Sequence, residues 1–170
     1  LRQKVTDYHW RLDKINLDLA ILVGEDNADD VFLLKHALKK TKLENPVRFV
    51  SDGEEVMAYL EGEGRFADRA HHPFPGLLLL DIKMPRMDGL ETLAMIRNDP
   101  RFRRLVVIIL TSSNREQDIN RAFDLQANSY LVKPAKPEMM PVILEQIRAY
   151  WLGLNHFPKC HGRHHRGSEA

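Results

Sequence analysis

Leu77-Leu78-Leu79-Leu80-Asp81, running directly into Ile82-Lys83-Met84-Pro85-Arg86-Met87-Asp88-Gly89, is the stretch that decides the fold. Four leucines in succession leave no polar face, so the segment reads as a strand buried on both sides and ending in one carboxylate. Pro85 and Asp88-Gly89 punctuate a turn. Leu90, Leu93, Ala94 and Ile96 then recur as one face of a helix.

Outward from this unit the same alternation repeats. Residues 19–23 are an apolar run ending in Gly24-Glu25-Asp26, and residues 30–40 place Val31, Leu34 and Leu38 at helical spacing. Residues 47–51 read as a strand, and residues 54–61 as a helix with Val56, Met57 and Leu60 inward. Residues 62–76 hold Gly62, Gly64, Pro73, Pro75 and Gly76 and read as a long loop. Residues 105–110 are apolar throughout and rich in β-branched side chains, which favours a strand. Ile119, Ala122 and Phe123 mark a helix, residues 130–132 a fifth strand, and Met140, Ile143, Ile147, Trp151 and Leu154 a final helix. Five strands, each followed by a helix, predict a doubly wound α/β domain with a parallel sheet over residues 19–154. Ligands of such a sheet bind beyond the carboxyl ends of its strands.

The 170 residues carry 25 Lys+Arg against 24 Asp+Glu, a formal net charge of +1. Residues 19–154 hold 18 basic and 20 acidic side chains, so the positive surplus lies at the two ends. A mildly acidic body argues against a nucleic-acid partner. No apolar run approaches the roughly 20 residues that span a bilayer, so no membrane partner is expected. The first residues also lack the apolar core of a secretion signal. A single cysteine, Cys160, can form no internal disulfide and predicts a reducing, cytoplasmic setting. Residues 1–18 place Val5, Tyr8, Leu12 and Ile15 at helical spacing and predict an amphipathic extension. That extension packs on the domain or a second copy, or belongs to an upstream segment. Residues 155–170 hold His156, Cys160, His161, His164 and His165 without ordered spacing and predict a disordered, solvated tail rather than a metal site.

The strand ends carry the chemistry. The first ends in Glu25-Asp26, the third in Asp81, the fourth in Thr111 and the fifth in Lys133. A lone Asp, Thr or Lys at a strand end is usually a cap or nothing, but this set of complementary groups converges on one rim. Crowded carboxylates repel and take up protons unless a cation neutralises them. Mg²⁺ suits the set, because it accepts a few carboxylates, keeps waters and leaves room for phosphate oxygens. A cation, an ammonium and a hydroxyl around one carboxylate are what phosphoryl transfer onto that carboxylate requires. Asp81 is the expected nucleophile.

These residues resemble the response-regulator receiver domain of two-component signalling. The likeness rests on Ile21-Leu22-Val23-Gly24-Glu25-Asp26, on Leu80 through Gly89, on Leu110-Thr111-Ser112-Ser113 and on Tyr130-Leu131-Val132-Lys133-Pro134. It implies the flavodoxin-like receiver fold with strand order 2-1-3-4-5. It also implies that Asp81 accepts a phosphoryl group from a phosphohistidine on a partner histidine kinase. Asp26, Asp81 and the Lys83 backbone carbonyl would hold Mg²⁺, with Glu25 reaching it through water. Thr111 and Lys133 would bind the phosphoryl group, Tyr130 would be the aromatic switch, and the Lys133-Pro134 bond would be cis. The long loop before Leu77, Asn98-Asp99-Pro100 and Ala149-Tyr150-Trp151-Leu152 are similar to the stand-alone regulators of bacterial phytochromes.

Some positions depart from that pattern. Gln126 stands near a usual glycine and would strain its turn unless Asn128 took over the positive φ. Pro141, four residues after Pro137, implies that the last helix begins there or has an irregular first turn. Lys83 and Ser113 offer no carboxylate to position water, which predicts a long-lived phosphoaspartate and, at most, slow self-dephosphorylation rather than an enzyme. An FMN carrier is disfavoured because Glu25-Asp26-Asn27-Ala28-Asp29-Asp30 would repel a phosphate lacking a metal. An aspartyl phosphatase of the haloacid dehalogenase type would want an acid where Lys83 stands. No small-molecule substrate is expected. A receiver-fold adaptor that binds proteins without being phosphorylated is the alternative. The residues after 154 are too few to fold alone, so output is expected through binding. Tyr150, Trp151 and Leu154 extend the last apolar stripe beyond what the sheet needs and predict a homodimer or partner surface.

Overall fold

The computed structural model describes residues 19–158. The N-terminal extension and the tail from residue 159 on, with Cys160, His161, His164 and His165, lie outside the described residues. Strands β1 (Ala20–Gly24), β2 (Val47–Val50), β3 (Pro75–Leu80), β4 (Val106–Thr111) and β5 (Ser129–Val132) form one parallel sheet in the order 2-1-3-4-5. Helices α1 (Ala28–Leu38), α2 (Gly53–Glu61), α3 (Gly89–Asn98), α4 (Glu116–Asp124) and α5 (Met140–Ile147) connect and flank the strands.

Alternation along the central strands divides the core into two layers. Leu22, Leu78, Leu80, Val107 and Ile109 point to one face, against α2 and α3 through Val56, Leu60, Leu93 and Ile96. Ile21, Val23, Leu77, Leu79, Ile108 and Leu110 point to the other, against α1 and α5 through Leu34, Leu144 and Ile147. Both faces of β1, β3 and β4 are buried, which is why their sequences carry no polar alternation.

Several local expectations are refined. Gln126 itself takes the positive φ, 62°, and Asn128 does not. Arg97 offsets the strain by donating from Nε and Nη2 to the Gln126 carbonyl, at 3.0 and 2.8 Å, and from Nη2 to Asn128 Oδ1 at 3.0 Å. Asn128 Oδ1 also accepts the Val107 N–H at 2.8 Å. Phe123 is 52% exposed, so only Ala122 of α4 is buried. The long loop contains a 3₁₀ turn, Gly64–Phe66. It is tied down where Arg69 donates to the Tyr59 and Leu60 carbonyls, each at 2.7 Å.

The last helix is composite. A 3₁₀ turn, Pro137–Met139, precedes α5, and Pro141 falls in the first turn of α5, where no helical hydrogen bond is lost. Beyond Ile147 the chain widens into a π-helical segment, Arg148–Leu154. Phe157 still packs against the α1–α5 layer, beyond the expected domain boundary at residue 154. Among the described residues no helix is long and apolar enough to cross a membrane.

Candidate functional site

The parallel register delivers the strand ends to one rim. The Asp81 N–H donates to the Gly24 carbonyl at 2.9 Å, which sets the end of β3 beside Glu25 and Asp26. One carboxylate oxygen from each of Glu25, Asp26 and Asp81 lies within 4.8 Å of the others. Glu25 and Asp81 are buried and Asp26 is exposed. Asn27 caps α1 by accepting the Asp29 and Asp30 N–H groups at 2.9 and 3.1 Å, which turns the acidic block into the start of a helix.

The loop after Asp81 is equally well held. The Gly89 N–H donates to the Ile82 carbonyl at 2.8 Å, and a Cβ on Gly89 would stand 2.0 Å from the Asp81 carbonyl oxygen. Only glycine permits that approach. Asp88 and Glu91 then close a capping box at the start of α3. Lys83 lies in this loop with its side chain exposed.

Thr111, fully buried at the end of β4, accepts the Ser113 N–H on Oγ1 at 3.4 Å, leaving its own hydroxyl proton to donate. The Lys133 N–H donates to the Thr111 carbonyl at 2.7 Å, and the Lys133 ammonium turns back over the rim. Its Nζ lies 2.5 Å from Glu25 Oε2, 2.7 Å from Asp30 Oδ2 and 3.7 Å from Asp81 Oδ1. The expected cis bond at Pro134 is corrected: among the described residues every peptide bond is trans. An X–Pro bond already favours trans by about 0.5–1 kcal/mol, and from that isomer the ammonium reaches the rim.

Burial pushes the Glu25 carboxyl up from its ordinary value, against the lowering hydrogen bond and charge of Lys133. Burial alone would depress Lys133, but hydrogen bonds to Asp30 and Glu25 and the nearby Asp81 outweigh it, so its ammonium is held above the usual range. Asp81 Oδ1 is buried and has no hydrogen-bond partner among the described residues. An acceptor in that position, beside two further carboxylates, suits a hard divalent cation with oxygen ligands. The donor set therefore fits Mg²⁺.

Tyr130, partly buried, donates its hydroxyl to the Ser113 carbonyl at 3.0 Å. Burial raises its pKa, opposed by that hydrogen bond and aided by the Asp118 and Asp81 charges. The Ser113 hydroxyl donates to Asp118 at 2.5 Å, and Arg115 donates to the same carboxylate. On α5 and beyond, Tyr150 and Leu154 are exposed, whereas Trp151 is half-buried against the inner layer, so only two of these three residues stand on the surface. Asp30 is the site residue that sequence reasoning missed. Its signal was the Asn27 cap, which places Asp30 in the first helical turn facing the strand ends.

A parallel 2-1-3-4-5 sheet with three carboxylates, a hydroxyl and an ammonium at its carboxyl rim defines a class of signalling domain. The family model for the response regulator receiver domain matches residues 21–145, and the chain belongs to that family. It is 35% identical over 141 residues to the protein named Probable methanogenesis regulatory protein FilR2, of Methanothrix harundinacea, covering 81% of this chain and 86% of that one. Among solved structures it is similar to the phosphorylated cyanobacterial phytochrome response regulator RcpA, at 37% identity and TM-score 0.76, covering 84% of this chain and 99% of that one. It is also similar to the Mn²⁺-bound form of response regulator Rcp1 of Synechocystis sp., at 31% identity and TM-score 0.74, covering 83% and 99%.

Proposed function

We propose that this response regulator accepts a phosphoryl group on Asp81 from a phosphohistidine of a partner histidine kinase, in a Mg²⁺-dependent reaction in the cytoplasm. The observation that carries the reading is the buried, hydrogen-bond-free Asp81 Oδ1 beside Glu25, Asp26 and the Lys133 ammonium. Asp26, Asp81 and the Lys83 carbonyl would hold the ion, with Glu25 behind them through water. When bound, Mg²⁺ supplies positive charge against the phosphoryl oxygens and the attacking carboxylate. Asp81 attacks phosphorus as its carboxylate and the histidine nitrogen leaves. Lys133 and Thr111 donate to the transferred oxygens, so charge build-up meets donors already in place.

Phosphorylation replaces the single carboxylate charge of Asp81 with a phosphoryl group of roughly two negative charges and three acceptor oxygens. Thr111 is drawn toward them and the Thr111–Ser113 contact changes. Ser113 also accepts the Tyr130 hydroxyl, so Tyr130 and the surface of α4, β5 and α5 respond. Moving from a mostly inactive to a mostly active population needs roughly 5 kcal/mol of differential binding. Signalling then proceeds through protein contacts, including a homodimer formed on the α5 surface with Tyr150 and Leu154, the two of the three expected residues that are exposed. The likeness to RcpA supports a bacterial phytochrome as the kinase.

Incubation with Mg²⁺ and acetyl phosphate, followed by intact mass measurement, tests the reading. One added phosphoryl group, absent from Asp81→Asn and from samples treated with chelator, is the expected result. An unmodified wild-type chain overturns it in favour of an adaptor that acts by binding alone.

A further inference from the structure

A strained turn sits in the loop between β3 and α3, and the groups that hold it lie on α2. Arg86 has φ of 63°, and the Met87 N–H closes a three-residue turn around it onto the Pro85 carbonyl at 2.7 Å. A non-glycine residue at positive φ closing so tight a turn is strained, and such strain persists only where the surroundings over-determine it. Here they do. The Arg86 guanidinium pairs with Asp52, a completely buried carboxylate, and its Nε lies 3.3 Å from Glu54 Oε2.

Asp52 is fixed from its other side. Its Oδ1 accepts the Glu55 N–H at 2.8 Å and so caps α2. The next residue seats the helix on the loop: the Gly53 N–H donates to the Met87 carbonyl at 3.1 Å. A Cβ on Gly53 would lie 2.0 Å from Thr92 Oγ1 and 2.8 Å from the Met87 side chain. The start of α2 therefore grips the turn through an ion pair from a buried carboxylate, one backbone hydrogen bond and one side-chain-free contact.

We propose that Asp52 and Arg86 are positioning residues for the metal: by holding the strained turn, they hold the Lys83 carbonyl three residues upstream where the ion requires it. This rests on the Mg²⁺ reading proposed above. Mg²⁺ demands near-ideal octahedral geometry, so a carbonyl on a slack loop is a poor ligand. Sequence spacing hides the device, because Asp52 and Arg86 are 34 positions apart and meet only through the fold.

Isothermal titration of Mg²⁺ into the full 170-residue chain tests the proposal, with melting temperatures recorded alongside. In Asp52→Asn the cap survives, since Asn also accepts at an N-cap, but the charge that holds Arg86 is gone. The Mg²⁺ dissociation constant is expected to rise about five- to tenfold as the turn relaxes. Adding Arg86→Gly supplies a residue that takes positive φ freely and is expected to bring the constant back to within about twofold of wild type. An Asp52→Asn chain that melts lower yet binds Mg²⁺ as wild type does overturns the proposal. So does a double variant as weak as the single one.

If Asp52→Asn does not fold, the half-exposed Arg86 carries the same comparison: Arg86→Ala weakens Mg²⁺ binding more than Arg86→Gly, and equal effects overturn the proposal. A wild-type chain without Mg²⁺ binding overturns the metal reading and this proposal together. Wild-type binding that Asp81→Asn abolishes, with the Asp52 and Arg86 variants unchanged, overturns this proposal alone.

Discussion

Lys133 lies closer to Glu25 than to Asp81: its Nζ is 2.5 Å from Glu25 Oε2 and 3.7 Å from Asp81 Oδ1. The ammonium is anchored by Glu25 and Asp30, and among the described residues no group hydrogen-bonds to Asp81 Oδ1. The ammonium is thereby stationed beside Asp81 without occupying that oxygen.

Lys133→Met would leave the buried Glu25 without its cation. Breaking one side of a buried pair typically costs about 3–5 kcal/mol, and the partial exposure of Asp30 favours the lower end, about 3 kcal/mol. Urea unfolding at neutral pH measures it. Combining Lys133→Met with Glu25→Gln should lose less than the two single losses together. Strict additivity would mean that the two groups do not interact.

The Glu25 carboxyl titrates above its ordinary value of 4.5, chiefly through burial. A raised native pKa means that the folded chain holds the proton more tightly than the unfolded one. Its contribution is fully present below 4.5 and disappears as pH climbs through the native value. The stability of wild type relative to Glu25→Gln should therefore fall as pH rises from 4.5 toward neutrality in Mg²⁺-free buffer. A flat or rising difference would contradict the assignment.

Gln126→Gly should stabilise the chain. A left-handed conformation costs an L-residue about 1–2 kcal/mol, partly offset by the greater unfolded-state entropy of glycine, for a net gain of about 1 kcal/mol. For a domain of this size that corresponds to a rise of about 2–4 °C in Tm by calorimetry. A lower Tm would show that the glutamine side chain makes a contact worth more than the strain.

Once formed, the phosphoaspartate should decay slowly. Lys83 brings no carboxylate to the acceptor, and the Ser113 hydroxyl is committed to Asp118 at 2.5 Å. Neither is free to orient an attacking water. Loss of the phosphoryl mass within seconds of removing acetyl phosphate would refute this.

The exposed apolar surface of α5 and the π-helical segment, with Val142, Tyr150 and Leu154, should support a homodimer. Sedimentation at high concentration, with and without acetyl phosphate, reads the oligomeric state. Val142→Asp with Tyr150→Asp should shift it to monomer. A wild-type monomer under both conditions would remove the dimer.

Much of this architecture is legible in the residues because two-sided burial leaves an unmistakable trace. Leu77 to Leu80 have no polar partner in sequence because each faces a helix-covered layer. Once the strands are parallel, Glu25, Asp81, Thr111 and Lys133 must share a rim. What escapes is decided by single residues or by small energies. Whether Asp30 faces Lys133 depends on the helix starting after Asn27 rather than one residue later. The Pro134 isomer is set by a preference too small to read from sequence. The π-helical bonding of Arg148–Leu154 replaces i→i+4 by i→i+5, so Leu152, five residues after Ile147, is buried while Leu154 is exposed, a change that 3–4 apolar spacing does not announce. Phe123 looked inward by periodicity, yet α4 buries only Ala122 and needs no second apolar contact.

The reach of Lys133 across the rim to Glu25 also bears on when the site can exist. The two residues are 108 positions apart, near opposite ends of the domain. A chain growing from its N-terminus holds Glu25, Asp26 and Asp81, all three acids of the rim, before β5 is made. Until residue 133 emerges, bringing those carboxylates together would set them against one another without their ammonium. Completion of the rim therefore waits on the last strand, and a chain ended before residue 133 carries Asp81 without the ammonium that stands beside it.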